Sequence, residues 1–353
     1  MNIIDIKIKK LYRIEMTIHI AINGFGRIRR SVIRALCEIK RQKKINVVAI
    51  NKKKNINLIP YLLEYDTTQG KFPYKINKNG DILKINKDRI KILQYKKINQ
   101  LSWKELKINI VLDCTGTYKK TKNRRKHLLS GIKKFLFSYP GNKNIDKIIV
   151  FGINHKNLKQ TDNVISNASC TSNCAIPIIK ILDDKFGVKH GFITIIHPSM
   201  NDQNIIDNYN NDLNLIRSSI HSIIPINTNL TKNITKILPT FKNKFTANAI
   251  RIPTTNVIAS ILNIFLKDKV NIYNVNSSLE NASKKKLKRI MKYTELPLIS
   301  NNFNHDSHSA IIDGRQNKTN NKNLVKILAW CDNEWGFANR MIDTTLVIAS
   351  KFL

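Results

Sequence analysis

Residues 166–174, Ser166-Asn167-Ala168-Ser169-Cys170-Thr171-Ser172-Asn173-Cys174, crowd small polar side chains around one cysteine. They lead directly into an apolar pattern of helical period: Ala175, Ile176, Ile178, Ile179, Ile181 and Leu182, with Pro177 inside it. Ser169 is a good N-cap, which places Cys170 in the first helical turn. Unpaired amide N–H groups and the positive end of the helix dipole favour thiolate over thiol there. The same amides can hold a developing oxyanion. Nucleophilic attack by Cys170 is the chemistry these residues suit. Most cysteines, however, are small core residues, and Cys174, one turn further into the apolar helix, fits that description. A metal half-site at Cys170 and Cys174 lacks the second pair that zinc requires, so no metal is expected.

A second constellation is Asn23-Gly24-Phe25-Gly26-Arg27-Ile28, between an alternating strand over residues 17–22 and a helix running to about residue 39. Strand, Gly-x-Gly, helix is the context in which a turn cradles a diphosphate on helix amides. Arg29 stands where the third glycine of that fingerprint allows close packing, so it is expected to point outward or to shift the helix. The next strand, over residues 45–50, ends at Asn51-Lys52, where an acid often binds ribose hydroxyls; a lysine removes the usual argument for NAD over NADP.

The elements that must position these groups follow two grammars. Over residues 17–160, buried strands and helices alternate, as in a doubly wound nucleotide-binding half. A short helix over 61–65, a hairpin around Asn79-Gly80-Asp81, a buried strand over 110–114 ending in a glycine turn, a helix near 124–130 and strands over 135–138 and 147–153 are expected. Past the Cys170 helix come a strand over 191–197 ending in His197, a long polar stretch over 198–222, and alternation over 247–266 that suggests antiparallel strands. A basic helix over 275–292, strands over 309–313 and 325–331, and a final helix to about residue 349 complete the chain. The fold class is therefore α/β. A Rossmann-type doubly wound domain over 16–168, with the C-terminal helix 333–353, accompanies an α+β catalytic domain over 169–332 with a mainly antiparallel sheet. Residues 1–15 read as a tail or a mis-called start.

The formal charge of +37 asks for a polyanion. Lysine is nevertheless scattered with asparagine and isoleucine through nearly every segment, and the densest run, Lys284 to Arg289, sits in a helical pattern whose charged face suits solvent. No specific nucleic-acid partner is expected, only weak binding at low salt. Five cysteines without framework spacing point to a reducing, cytoplasmic setting. No apolar run approaches the ~18 residues of a membrane span, and no membrane partner is expected.

Taken with Arg251-Ile252-Pro253-Thr254 and Trp330-Cys331-Asp332-Asn333-Glu334-Trp335-Gly336, the two constellations resemble the glyceraldehyde-3-phosphate dehydrogenase superfamily, colinearly from about Met16 to the C-terminus. The resemblance implies NAD as cofactor, a sugar-phosphate substrate and a homotetramer in which residues 198–222 lie near the cofactor and a neighbouring subunit. It implies Cys170 as nucleophile and His197 as base. Gly24, Gly26, Arg27, Ile28, Lys96 and Asn333 would bind cofactor, and Ser169, Cys170, Thr171, Thr228, Asn229 and Arg251 would bind substrate.

Within the superfamily, Ser138-Tyr139-Pro140-Gly141, His197-Pro198-Ser199-Met200-Asn201-Asp202-Gln203, Tyr293 to Leu298 and Phe303-Asn304-His305-Asp306 are similar to the branch that oxidises D-erythrose 4-phosphate on the route to pyridoxal phosphate. In the phosphorylating branch a threonine that helps bind inorganic phosphate usually stands three residues after the histidine; here it is Met200, which agrees with release of the thioester by water. Asn214-Leu215 replace an arginine pair of close relatives and leave Arg217 nearby, Lys96 stands for an arginine, and Thr228-Asn229 for a Thr-Gly pair. A phosphorylating glyceraldehyde-3-phosphate dehydrogenase and a nucleic-acid-binding protein on a dehydrogenase fold are the rival readings.

Overall fold

A strand buried on both faces must be apolar almost throughout, and Ile18–Asn23 (β1) is: only His19 is not fully buried. The computed structural model describes residues 17–39, 44–97, 100–115, 128, 131–140 and 145–352. Two compact units form, Met1–Ala168 with Ala338–Leu353, and Ser169–Phe337.

In the first unit β1 is followed by α1 (Arg27–Glu38), β2 (Ile45–Asn51), α2 (Ile59–Glu64), β3 (Ile76–Asn79), β4 (Ile82–Ile85), β5 (Asp88–Leu93), β6 (Ile110–Asp113), β7 (Lys134–Phe137), β8 (Lys147–Ile148) and β9 (Val164–Ser166). The nine-stranded sheet runs β8-β9-β7-β6-β1-β2-β5-β4-β3. All pairs from β8 to β5 are parallel, and β3 and β4 add an antiparallel edge, their hairpin closed by Gly80 at φ +56°. The chain leaves β1 for β2 on one side and later reaches β6 on the other. The C-terminal ends of these strands therefore frame the crevice in which doubly wound sheets bind ligands. One face packs Ala21, Ala49, Val111, Phe135, Phe137 and Trp103.

Two expectations change here. The strand expected over 147–153 stops at Ile148, because the Asn154 side chain takes both the Val150 N–H and the Ile148 carbonyl, each at 2.8 Å. Such local side-chain bonds compete with a sheet ladder and favour a turn. Val164–Ser166, not foreseen, pairs between β7 and β8. The helix expected near 124–130 lies outside the described residues apart from Leu128, as do residues 1–15, Gly116 and Gly141.

The second unit begins with α3 (Cys170–Phe186), unbroken through Pro177, and continues with β10 (Val188–Pro198), β11 (Ile224–Ile226), α4 (Leu230–Ile237), β12 (Phe245–Ile252), β13 (Ile258–Leu266), α5 (Ile272–Lys284), β14 (Met291–Thr294), β15 (Ala310–Asp313), β16 (Lys318–Asn320) and β17 (Leu324–Cys331). α6 (Trp335–Phe352) closes the chain. The sheet order is β11-β12-β10-β13-β17-β15-β14, with β16 on β17. It is mainly antiparallel but mixed. β12 and β13 do not pair with each other: β12 joins β10 in parallel, and β13 joins it antiparallel. The basic helix ends at Lys284 rather than 292, since buried Leu287, Ile290 and Met291 turn the chain into β14. No helix among the described residues is long and apolar enough to cross a membrane.

Candidate active site

Ser169 caps α3 as its residue type dictates: extended backbone at φ −129° and ψ 165°, and an Oγ that accepts the Ser172 N–H at 3.1 Å. The hydroxyls of Thr171 and Ser172 lie 2.9 and 2.8 Å from the same Oγ, and the Asn233 side chain of α4 donates to Ser172 Oγ at 3.0 Å. Asn173 returns to the Ser169 carbonyl at 2.9 Å. Ala168, just before the cap, takes φ +57°, a strained value for a residue with a side chain.

Cys170 is the first helical residue and the one cysteine that is not fully buried. Burial pushes its thiol up to about 12, against the amides of Thr171 and of Cys170 itself; Cys174 and Glu334 add to the rise. The expected direction is therefore reversed. The amides do act on the sulfur, but the cost of burying a thiolate exceeds what they return. Cys174 is fully buried and bonds the Cys331 thiol and Ser260, a structural role.

His197 lies at the end of β10, and its register partner on β12 is Arg251. His197 Nδ1 sits 2.8 Å from the Pro198 carbonyl. A carbonyl only accepts, so Nδ1 donates there, and whenever the ring is neutral its lone pair lies on Nε2. After Pro198, the Ser199 Oγ donates to the Ile252 carbonyl at the end of β12 at 3.2 Å and its N–H to the Thr254 carbonyl just past it at 3.0 Å, and a turn closes from Gln203 N–H to the Met200 carbonyl at 3.0 Å. That turn sets Asp202 on Arg251: Nη1 to Oδ1 at 2.8 Å and Nη2 to Oδ2 at 3.2 Å, with Gln203 Oε1 at 3.3 Å from Nη1. Thr228 and Asn229 follow β11, the next strand beyond β12; Thr228 Oγ1 accepts the Leu230 N–H at 3.2 Å and Asn229 is exposed. Arg217 is exposed and bound to Asp207 at 2.6 Å.

Asp332 holds the loop before α6. Its Oδ1 accepts the N–H groups of Glu334 and Trp335 at 2.9 and 2.8 Å, and its Oδ2 accepts from Asn256 and from the His305 N–H, each at 2.8 Å. Between these fixed points Asn333 is 6% exposed, with its Oδ1 buried and without a hydrogen-bond partner among the described residues. An orphaned buried acceptor is costly unless a ligand donates to it.

In the first unit, Gly24 takes φ +102° and Gly26 caps α1 without any side-chain bond; Arg27 and Ile28 open the helix. The Gly24 N–H donates to the Asn51 carbonyl at 2.7 Å. Asn51 also bonds Tyr95 N–H at 3.0 Å, which brings exposed Lys96 to the same sheet end as Lys52. Arg29 does not point outward. Its guanidinium folds back over the glycine turn, 2.5 Å from where a Cβ on Gly24 would stand, and reaches the Cys114 thiol, which burial pushes up to about 11. No carboxylate pairs with Arg29 among the described residues.

A parallel-sheet domain with a glycine turn at the C-terminal end of its first strand is the arrangement of a dinucleotide-binding domain. Residues 18–121 match the NAD binding domain, and residues 169–333 the C-terminal domain, of glyceraldehyde 3-phosphate dehydrogenase. Together the matches cover well over half of the chain, which belongs to the glyceraldehyde-3-phosphate dehydrogenase family of NAD-dependent dehydrogenases acting on aldehyde phosphates. The residues present fit NAD. The glycine turn of the first unit carries a cation suited to a diphosphate.

The contacts that Asn233, Asp202 and Asp332 make are not evident from the sequence alone. Asp332, an N-cap type just before a helix, had a readable local signal. Asp202 and Asn233 act on partners 49 and 61 residues away, which only the pairing of β10 with β12 and the packing of α3 with α4 reveal.

Proposed function

We propose that the chain oxidises D-erythrose 4-phosphate to 4-phospho-D-erythronate, a step toward pyridoxal phosphate, through a Cys170 thioester released by water. The observation that carries this reading is Met200, 39% exposed on the turn that follows His197, where a phosphorylating enzyme needs a hydroxyl. A thioether donates no hydrogen bond to a phosphate oxygen.

Cys170 attacks the aldehyde carbon. Burial keeps the Cys170 sulfur a thiol, so a base must take its proton, and His197 Nε2 is the base assigned to that task. The amides at the start of α3, held by the Ser169 network, stabilise the oxyanion. NAD, when bound, supplies the two-electron acceptor that takes the hemithioacetal to the thioester oxidation level. Gly24, Gly26, Arg27, Ile28 and Lys96 bind the dinucleotide, and Asn333 Oδ1 accepts from the nicotinamide carboxamide. Ser169, Thr171, Thr228, Asn229 and Arg251 bind the sugar phosphate. Water then adds to the acyl carbon, the C–S bond breaks, and sulfur leaves with the electron pair.

A homotetramer is part of the same proposal. Ile205, Ile206, Tyr209, Leu213 and Ile223 expose apolar surface along the stretch between β10 and β11, up to 98% at Tyr209; a second copy of the chain covers it. Light scattering reads the mass directly, and a monomer at micromolar concentration contradicts it.

NADH formation from erythrose 4-phosphate and from glyceraldehyde 3-phosphate, each with and without phosphate, tests the substrate. Faster, phosphate-independent turnover of the four-carbon aldehyde is expected. Faster turnover of the three-carbon aldehyde with a strict phosphate requirement would instead identify the phosphorylating activity.

A further inference from the structure

The sheet end next to the glycine turn is cationic. The Gly24 N–H donates to the carbonyl of buried Asn51 at 2.7 Å, so the residue that follows Asn51 is next in the chain to a contact of the turn. That residue is Lys52, half-buried, and its N–H donates to the Leu93 carbonyl at the end of β5 at 2.8 Å. The Asn51 side chain donates to the Tyr95 carbonyl at 3.2 Å and accepts the Tyr95 N–H at 3.0 Å, which fixes the chain just before exposed Lys96. Lys53, Lys54 and Lys97 continue the same two segments, and none of the five lysines is in an ion pair among the described residues. No aspartate or glutamate occurs in residues 50–58 or 93–100.

In a dinucleotide-binding sheet the end of the second strand meets the adenine ribose, where a carboxylate accepts from the 2′-hydroxyl and repels a phosphate attached there. A lysine reverses both effects. An ammonium has three donors and no acceptor, so the hydroxyl loses its acceptor. The same ammonium answers a phosphomonoester, which carries a charge of about −2 at pH 7. Exposed Lys53 and Lys54 suit solvent, but Lys52 and Lys96 stand one residue beyond the two ends of the Asn51–Tyr95 clamp, so the sheet itself fixes their backbone positions. We propose that Lys52, together with Lys96, forms a site for a ribose 2′-phosphate, and that the chain takes NADP as well as NAD. The site is independent of which aldehyde phosphate is oxidised.

Calorimetric titration of NAD and NADP into the full chain at fixed ionic strength tests the site on wild type, Lys52→Ala, Lys52→Asp and Lys286→Ala, the last removing one exposed charge from the second unit. Circular dichroism confirms that each variant is folded. Wild type should bind NADP at least as tightly as NAD. Lys52→Ala should weaken NADP about tenfold and Lys52→Asp about a hundredfold, while NAD changes by less than about threefold. Lys286→Ala should leave both affinities as they are. Among fragments, 2′-AMP should follow NADP through the series and 5′-AMP should follow NAD. No aldehyde is present, so a wrong assignment of the substrate leaves these results untouched. Binding of NAD about tenfold or more tighter than NADP in wild type would overturn the proposal. So would equal losses for both dinucleotides in Lys52→Asp, or an NADP loss in Lys286→Ala as large as in Lys52→Ala, which would show only the pull of the net charge.

Discussion

Two helices of this protein begin at the proposed cofactor and nucleophile positions, and they are built in opposite ways. α1 starts at Gly26 with no side-chain cap, no acid in its first turn, and Arg27, Arg29 and Arg30 crowded at its positive end. α3 starts at Ser169 with a hydroxyl cap, neutral residues around it and a second-helix asparagine bracing the network. Cations at a helix N-terminus oppose the dipole. Arg30 is answered by Asp66 at 3.0 Å, whereas Arg29 lies over the glycine turn without a carboxylate among the described residues. The difference teaches what each end awaits. A permanent anion, the dinucleotide diphosphate, tolerates and uses fixed positive charge. In the proposed reaction the transient anion, the oxyanion at the thioester carbon, is better served by neutral, preorganised donors.

The largest effect should come from the sulfur itself. Cys170→Ser is expected to lower turnover by about 10⁴-fold or more while the circular dichroism spectrum and the NAD dissociation constant stay near wild type. Near-normal turnover would remove the chemical half of the contrast between the helices.

Arg29→Ala addresses the other half. If the guanidinium serves the diphosphate, NAD binding followed by fluorescence quenching should weaken about tenfold, and its dependence on salt should flatten. Tighter binding would show instead that the side chain obstructs the cradle.

Asn233→Ala breaks the brace on Ser172 without touching Cys170. Loss of one buried hydrogen bond predicts about 1–2 kcal/mol of destabilisation in urea melts, together with a several-fold fall in kcat at little change in KM. Unchanged kcat would mean that the hydroxyl network is only structural.

The smallest effect concerns Asp306 in the second unit. Burial pushes its carboxyl up, but the His308 ring at 2.6 Å, the His308 N–H at 2.9 Å and Lys292 at 3.0 Å outweigh it and hold the carboxyl well below the usual range. A carboxyl depressed in the folded state contributes stability above its unfolded value near 4, and that contribution is lost as pH falls through the folded value. Asp306→Asn should cost about 1 kcal/mol at pH 7, after discounting for solvent screening, and flatten the acid limb of the stability curve. An unaltered acid limb would dismiss this cluster.

The same contrast explains how much could be read before any coordinates. The start of α3 was legible because each of its signals is local: Ser169 as cap, Cys170 in the first turn, an apolar period behind. The glycine turn was legible as a turn, but not the path of Arg29, since a long side chain chooses its direction from the space around it. The fold class followed from strand and helix periods. Val164–Ser166 is too short to show a period, and the strand past Ile148 yielded to Asn154. The thiol titration was misjudged because helix-end amides are visible in a sequence and burial is not. Asp202 and Asn233 were hidden for a topological reason, their partners being supplied by other elements of the second unit.

The most direct test is intact and peptide mass spectrometry of enzyme quenched with acid during turnover of erythrose 4-phosphate with NAD. An acyl adduct of the four-carbon phosphate on the peptide that carries Cys170, lost on standing in water, is the predicted result. NADH formation with no adduct, or with the adduct on another residue, would contradict the account.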